Sequence, residues 1–214
     1  MTDRDVQVRE FFEPHLRHLA EVKFHGAWKG GELVSRAGDA TTVILRPEPT
    51  VLRSGAISLE PGLMIIDSRV RAIQKRWLTD TLTVTPGKYM FAIPLGYHSM
   101  RFRSFNLYVK HFEAERVGRS HAVFEELVRE IVAPVVERAG SIDGLRYLVS
   151  QYESLPSRAW VLPALLVLAG ESALAASCLE ECSQTFAGSA RYSPALRESF
   201  EMYRQRALAE LATF

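Results

Sequence analysis

Between Trp160 and Gly170 the chain reads WVLPALLVLAG, a run without a single charged side chain. A helix needs about 20 apolar residues to cross a bilayer, so this run is too short to span one, and Pro163 interrupts it. It reads as a buried helix, and the rest of the chain has to build the core that receives it. With 214 residues the chain can bury such a core without metal or disulfide staples. Its hydrophobic fraction of 47% and charged fraction of 24% argue against disorder over most of the length.

The first twenty residues, MTDRDVQVREFFEPHLRHLA, mix acids and bases and lack an apolar core followed by a small-residue cleavage site. The two cysteines, Cys178 and Cys182, lie four apart in a segment that reads as helical, which is no disulfide framework. Both observations favour a reducing compartment and a cytoplasmic protein with no membrane partner.

Residues 3–23 have helical periodicity through Val8, Phe11, Phe12, Leu16, Leu19 and Val22, with Asp3 or Asp5 as cap and Pro14 as a kink or the true start. From about Lys23 to Phe112 the texture changes to strands. The spacing predicts them at Thr41–Arg46, Val51–Leu59, Leu63–Val70, Val70–Leu78, Lys88–Leu95 and Ser104–Phe112, punctuated by proline and glycine. Short turns between successive strands argue for an antiparallel sheet. From Ser120 the chain turns helical. Val123, Phe124, Leu127, Val128, Ile131, Val132 and Val135 make an apolar stripe, and Ser141 caps a helix that ends at Pro156. Segments 158–169 and 171–186 form an αα-hairpin around Gly170, and Ser193-Pro194 opens the last helix.

The expected fold is therefore α+β: an antiparallel sheet of about five or six strands packed by the N-terminal helix and the helix at Ser120–Glu137, followed by a C-terminal helical bundle. Residues 1–155 would form the sheet domain and 156–214 a helical extension packed on it.

Catalytic motifs are missing. There is no G-x-S-x-G elbow, no phosphate-binding glycine loop, and no cysteine in a polar loop near a histidine. His98 or His111 with Glu113 or Glu115 is a conceivable acid–base pair that nothing in the spacing demands. His15, His18 and Glu21 share a helical strip, yet a solvated face explains them equally well. Cys178 and Cys182, on the same predicted face as Leu174 and Phe186, read as core packing. No catalytic residue, metal site or cofactor is expected, and the reading leans away from an enzyme.

Charge carries more content. The formal net charge is only +1, but residues 40–120 hold 12 basic and 6 acidic side chains, against 8 and 12 in residues 121–214. Either a partner surface or mutual complementarity of the two parts accounts for this. The basic members Arg69, Arg71, Lys75, Arg76, Arg101 and Arg103 are the candidate partner-binding residues. They are interleaved with Trp77, Tyr89, Phe91, Tyr97, Phe102, Phe105 and Tyr108, a pattern compatible with single-stranded nucleic acid. The structural alternative has Arg69, Arg71 and Lys75 alternating along an exposed strand face, with the aromatics packed behind it.

Four features in sequence resemble a group of bacterial α+β proteins. Phe24-His25-Gly26-Ala27-Trp28 stands where that group has a short Phe-containing strand after a leading helix. Ala72-Ile73-Gln74-Lys75-Arg76 matches its strand with a Gln-Lys pair. Tyr89 to Gly96 matches a strand running into a Leu-Gly turn, and Ile131–Leu148 with Leu165–Cys182 match its closing helices. Pro47 to Met64 is extended relative to the pattern. The resemblance implies a small binding protein, and some members of the group look like immunity partners of polymorphic toxins. The expected function is thus non-enzymatic protein binding, with a toxin or effector as partner and toxin neutralisation as the specific form. Nucleic-acid binding, or a hydrolase using His98 or His111, is the alternative.

Overall fold

The computed structural model describes residues 26–29, 31–46, 49–51, 57–59, 62–78, 90–94, 125–152 and 155–213, together with Pro14, Arg17, His18, Leu82 and Ala122. The chain divides into two compact units, Met1–Ile65 with Ala92–Glu137, and Ile66–Phe91 with Arg138–Phe214. The fold is α+β, with a five-stranded antiparallel sheet and C-terminal helices.

The strands are β1 (Ala27–Lys29), β2 (Glu32–Ala37), β3 (Thr41–Arg46), β4 (Pro49–Val51), β5 (Ile57–Leu59), β6 (Gly62–Asp67) and β7 (Phe91–Pro94). The sheet runs β1-β2-β3-β6-β7, and β4 and β5 form a separate two-stranded hairpin. Antiparallel pairing of β2 with β3 sets Leu33 opposite Leu45, Ser35 opposite Val43 and Ala37 opposite Thr41. All six of these side chains are buried. Residues two apart on a strand share a face, so one register places the whole set in the core. The Thr41–Arg46 strand has the predicted bounds. The Val51–Leu59 strand is instead the β4–β5 hairpin, and β2 was not among the predicted strands. Segment Ser104–Phe112 lies outside the described residues, as does the first helix apart from three helical positions, Pro14, Arg17 and His18.

The strand expected over Val70–Leu78 is a helix, α1 (Ser68–Trp77). Asp67, fully buried at the end of β6, caps it: its Oδ1 accepts from the backbone N–H groups of Arg69 at 2.9 Å and Val70 at 3.1 Å. Val70, Ile73, Gln74 and Trp77 are the buried residues, spaced three, one and three apart, which is helical and not strand periodicity. The basic residues here therefore wrap around a helix instead of alternating on a sheet face.

A π-helical turn, Val128–Val132, leads into α2 (Ala133–Ala139). The N–H of Ala133 reaches back to the Val128 carbonyl, and the next residue, Pro134, has no N–H to offer. Leu127, Val128, Val132 and Val135 are buried, as the predicted stripe requires.

The helical unit continues with α3 (Ile142–Tyr152), α4 (Leu155–Leu168), α5 (Ser172–Gly188) and α6 (Pro194–Leu211). Both predicted serine caps are present: Ser141 Oγ accepts from the Gly144 N–H at 3.0 Å, and Ser193 Oγ from the Leu196 N–H at 3.2 Å, with Pro194 at the first turn. Within this unit α4 packs against α1, α3 and α5, and Trp160 of α4 meets Phe200 and Tyr203 of α6. The apolar run is thus the central helix, apolar around its whole circumference because neighbours enclose it. Gly170, at φ 79°, ends it. Its N–H bonds the Val167 carbonyl at 3.0 Å and the next N–H bonds the Leu166 carbonyl at 2.9 Å, the Schellman pair that requires a left-handed residue. Among the described residues no helix is long and apolar enough to cross a membrane.

Candidate functional site

Of the six basic residues singled out in the sequence, the structure places Arg69, Arg71, Lys75 and Arg76 together on α1; Arg101 and Arg103 lie outside the described residues. Arg69, Lys75 and Arg76 are exposed and Arg71 is half-buried. Arg69 and Arg76 are engaged by carboxylates. Arg69 Nη2 donates to Asp67 Oδ2 at 2.6 Å and its Nε to Oδ1 at 3.2 Å. Arg76 grips Glu210 of α6 with Nη2 at 2.7 Å and Nε at 3.1 Å to both oxygens. Hydrogen bonding from Arg76 holds the Glu210 carboxyl below its ordinary range despite partial desolvation. Lys75 forms no ion pair among the described residues.

The aromatic half of the nucleic-acid pattern is tested at one described side chain. Trp77 is buried, edge-on to Tyr203 with ring centroids 5.5 Å apart. It belongs to a cluster in which Trp160, Phe186, Phe200 and Tyr203 meet edge to face. Two of its members are joined through a polar link: the Trp160 carbonyl accepts from Tyr203 Oη at 2.9 Å and from Gln74 Nε2 at 2.8 Å.

Two further exposed positions lie on α3 and α5. Tyr147 and Leu174 are the exposed large hydrophobic residues of the described part, with 46% and 55% of their areas open. The Arg138 guanidinium stacks 4.6 Å from the Tyr147 ring centroid. Arg146, next to Tyr147, ties α3 to the start of α5 by donating from Nη1 to Glu171 Oε1 at 2.9 Å, with Asp143 Oδ1 at 3.6 Å. Leu174 follows Glu171 by three residues, one helical turn. The sequence reading put Leu174 on the core face with the cysteines. In α5 that face is instead Ala175, Leu179, Cys182 and Phe186; a strict four-residue spacing drifts about 40° per step around a helix, which carries Leu174 outward.

The same drift separates the cysteines. Cys182 is buried and Cys178 only partly so, and both are free thiols. Their mutual interaction raises the Cys178 thiol and lowers that of Cys182, with burial pushing both up and Arg158 of α4 drawing both downward. Of the remaining sequence candidates only His18 is among the described residues. His18 is exposed on a helix, His15, Glu21, His98 and His111 lie outside the described residues, and among those described no three His, Cys, Asp or Glu side chains converge.

On the outer face, Arg204 of α6 bridges Glu201 and Glu180, the latter at 2.6 Å to Nη1. Its hydrogen bonds pull the Glu201 carboxyl down to about 2. Comparison with protein-family models, curated proteins and solved structures yields no match to this chain.

Proposed function

We propose that this chain is a non-enzymatic protein-binding protein, and that the Tyr147–Leu174 surface of its helical unit is where a protein partner docks. The observation that carries the reading is the contrast between the two surfaces. Arg69 and Arg76 spend their charge on Asp67 and Glu210, and Trp77 is enclosed. Tyr147 stands open under Arg138, and Leu174 stands open one turn after Glu171, which Arg146 ties to α3. An aromatic ring and a leucine rimmed by both signs of charge suit a protein interface, which buries apolar anchors inside a polar rim. Nucleic-acid binding instead requires uncommitted cations and open rings. The bacterial group that the sequence resembles points to a toxin as the partner and to neutralisation by occlusion as the specific role.

The test is capture from the source lysate at moderate salt, with and without nuclease, by the wild-type chain and by a Tyr147→Glu, Leu174→Glu variant. One protein held near one-to-one, indifferent to nuclease and lost with the variant, is the expected result. Survival of a toxin-expressing host on co-expression would then establish neutralisation. Recovery of nucleic acid, or a partner that the variant still holds, refutes the assignment of this surface.

A further inference from the structure

On the reading that a protein partner docks at Tyr147, we infer the chemistry that this partner presents: a carboxylate side chain next to an apolar one, with Arg138 receiving the carboxylate. The Arg138 guanidinium lies over the Tyr147 ring, 4.6 Å from its centroid. A cation over a ring is held by the π-face and spends no N–H donor on a hydrogen bond. Elsewhere in the helical unit Arg69, Arg76, Arg146 and Arg204 are each engaged by a carboxylate. Arg138 is exposed, and no carboxylate among the described residues pairs with it. Its planar fork of donors, which matches a carboxylate in two parallel hydrogen bonds, is thus left for a ligand.

The backbone that carries Arg138 is fixed against α3. A Cβ on Gly144 would stand 1.8 Å from the Arg138 carbonyl oxygen, so the first turn of α3 is packed directly on that group. The Ser141 N–H donates to the same oxygen at 3.3 Å, and Ala139 and Leu145 on either side of the corner are fully buried. The guanidinium is therefore delivered to the ring by a rigid corner, and engaging a ligand costs little further ordering. Local charge selects the class of anion. Asp143 precedes Tyr147 by four residues, one turn along the same strip of α3, with its side chain 91% exposed. One cation beside an open carboxylate suits a singly charged group. A phosphate carries roughly two negative charges, is ordinarily met by a cluster of arginines, and would be repelled by Asp143. The part of the Tyr147 ring that stays open supplies the apolar contact.

The experiment is a selection of displayed random peptides on the immobilised full chain at moderate salt. Peptides held by the wild type and lost on the Tyr147→Glu, Leu174→Glu variant should carry Asp or Glu beside an apolar residue. With a synthetic peptide of the selected sequence, Arg138→Gln in the protein and acid-to-amide replacement in the peptide should each weaken binding by about tenfold. The two changes together should cost little more than either alone, the mark of a direct pair. Arg138→Lys keeps the charge but loses the fork, and should recover part of the affinity. Phosphoserine in place of the acid should bind no tighter. Arg138 and Tyr147 are exposed, so these variants should fold, which circular dichroism checks. Selected peptides without an acid, equal binding to Arg138→Gln, or tighter binding of the phosphoserine peptide overturns the carboxylate inference and leaves the docking reading intact. Selection of no peptide that distinguishes wild type from the double variant overturns both.

Discussion

The Trp160 carbonyl lies in the middle of α4 and receives two side-chain donors, Tyr203 Oη and Gln74 Nε2. Three residues on, Pro163 offers no N–H to the ladder and crowds the Ala159 carbonyl, so the helix is weakened here. Tyr203→Phe keeps the ring and removes one donor, and Gln74 remains. The cost should be that of one net hydrogen bond, about 1 kcal/mol. Gln74→Leu also removes one donor, but it relieves a debit as well: Gln74 Oε1 is buried without a hydrogen-bond partner. An unsatisfied buried acceptor costs about 1–3 kcal/mol, so this substitution should lie within about 1 kcal/mol of neutral. The double variant strips the carbonyl of both side-chain donors and leaves it to the i+4 backbone N–H of Ala164 alone, beside the point where Pro163 weakens the ladder, so the second donor lost should cost more than the first. The cycle should therefore show a coupling of about 1 kcal/mol or more beyond the sum of the single changes. Denaturant unfolding by circular dichroism and by tryptophan fluorescence measures it, coincident transitions being the condition for a two-state free energy. A cycle that closes additively within about 0.4 kcal/mol refutes the reasoning. It would mean that the carbonyl keeps a sufficient backbone partner and that the side-chain donors are incidental.

Four further outcomes follow from the same structure. Asp67→Ala removes the cap of α1 and the partner of Arg69, and should lower unfolding stability by about 1–2 kcal/mol, read from the denaturation midpoint. Glu201 has a folded-state pKa below its unfolded value, so its ion-paired stabilisation is complete above the unfolded value and lost as pH falls from the normal carboxylate range toward about 2. Because its side chain is 37% exposed, screening leaves about 1 kcal/mol of this, and Glu201→Gln should flatten the acid limb of stability against pH. Gly144→Ala would put a methyl group 1.8 Å from the Arg138 carbonyl oxygen, a backbone atom that cannot rotate away, and should cost about 2–3 kcal/mol in thermal or chemical denaturation. Tyr147→Ala and Leu174→Ala, at open positions, should each stay within about 0.5 kcal/mol of wild type while abolishing partner capture.

The parts of the fold that were legible are those whose signal is local. Thr41–Arg46 announces itself by β-branching and a closing proline, and Ser141 and Ser193-Pro194 by the cap chemistry that the free N–H groups of a helix demand. WVLPALLVLAG reads as buried because nothing in it can face water. The α1 segment was misread although its evidence was equally local. Val70, Ile73 and Trp77 recur at helical spacing behind the capping Asp67. Two β-branched residues and alternating basic ones imitate a strand, and Gln74 interrupts the apolar face because its partner, the Trp160 carbonyl, is 86 residues away.

The candidate sites show the same limit from the side of chemistry. A cluster of arginines in a sequence states how much charge is present, not how much is uncommitted. The Asp67 partner of Arg69 is two residues away and could have been read, whereas the Glu210 partner of Arg76 is 134 residues away and could not. Helical phase is as unforgiving. The four-residue row Leu174, Cys178, Cys182, Phe186 drifts about 40° per step around α5, so Leu174 falls in solvent and Cys178 at the rim while Cys182 stays inside. Apolar residues recur on α5 at 174, 175, 178, 179, 182 and 186, so two adjacent faces fit the pattern nearly as well. Only the neighbours decide between them: α4 takes one side of α5 and α6 another, and the face that remains carries Leu174. The Tyr147–Leu174 proposal made for this unit depends on that phase. A measured Leu174 that resists surface labelling would therefore remove it.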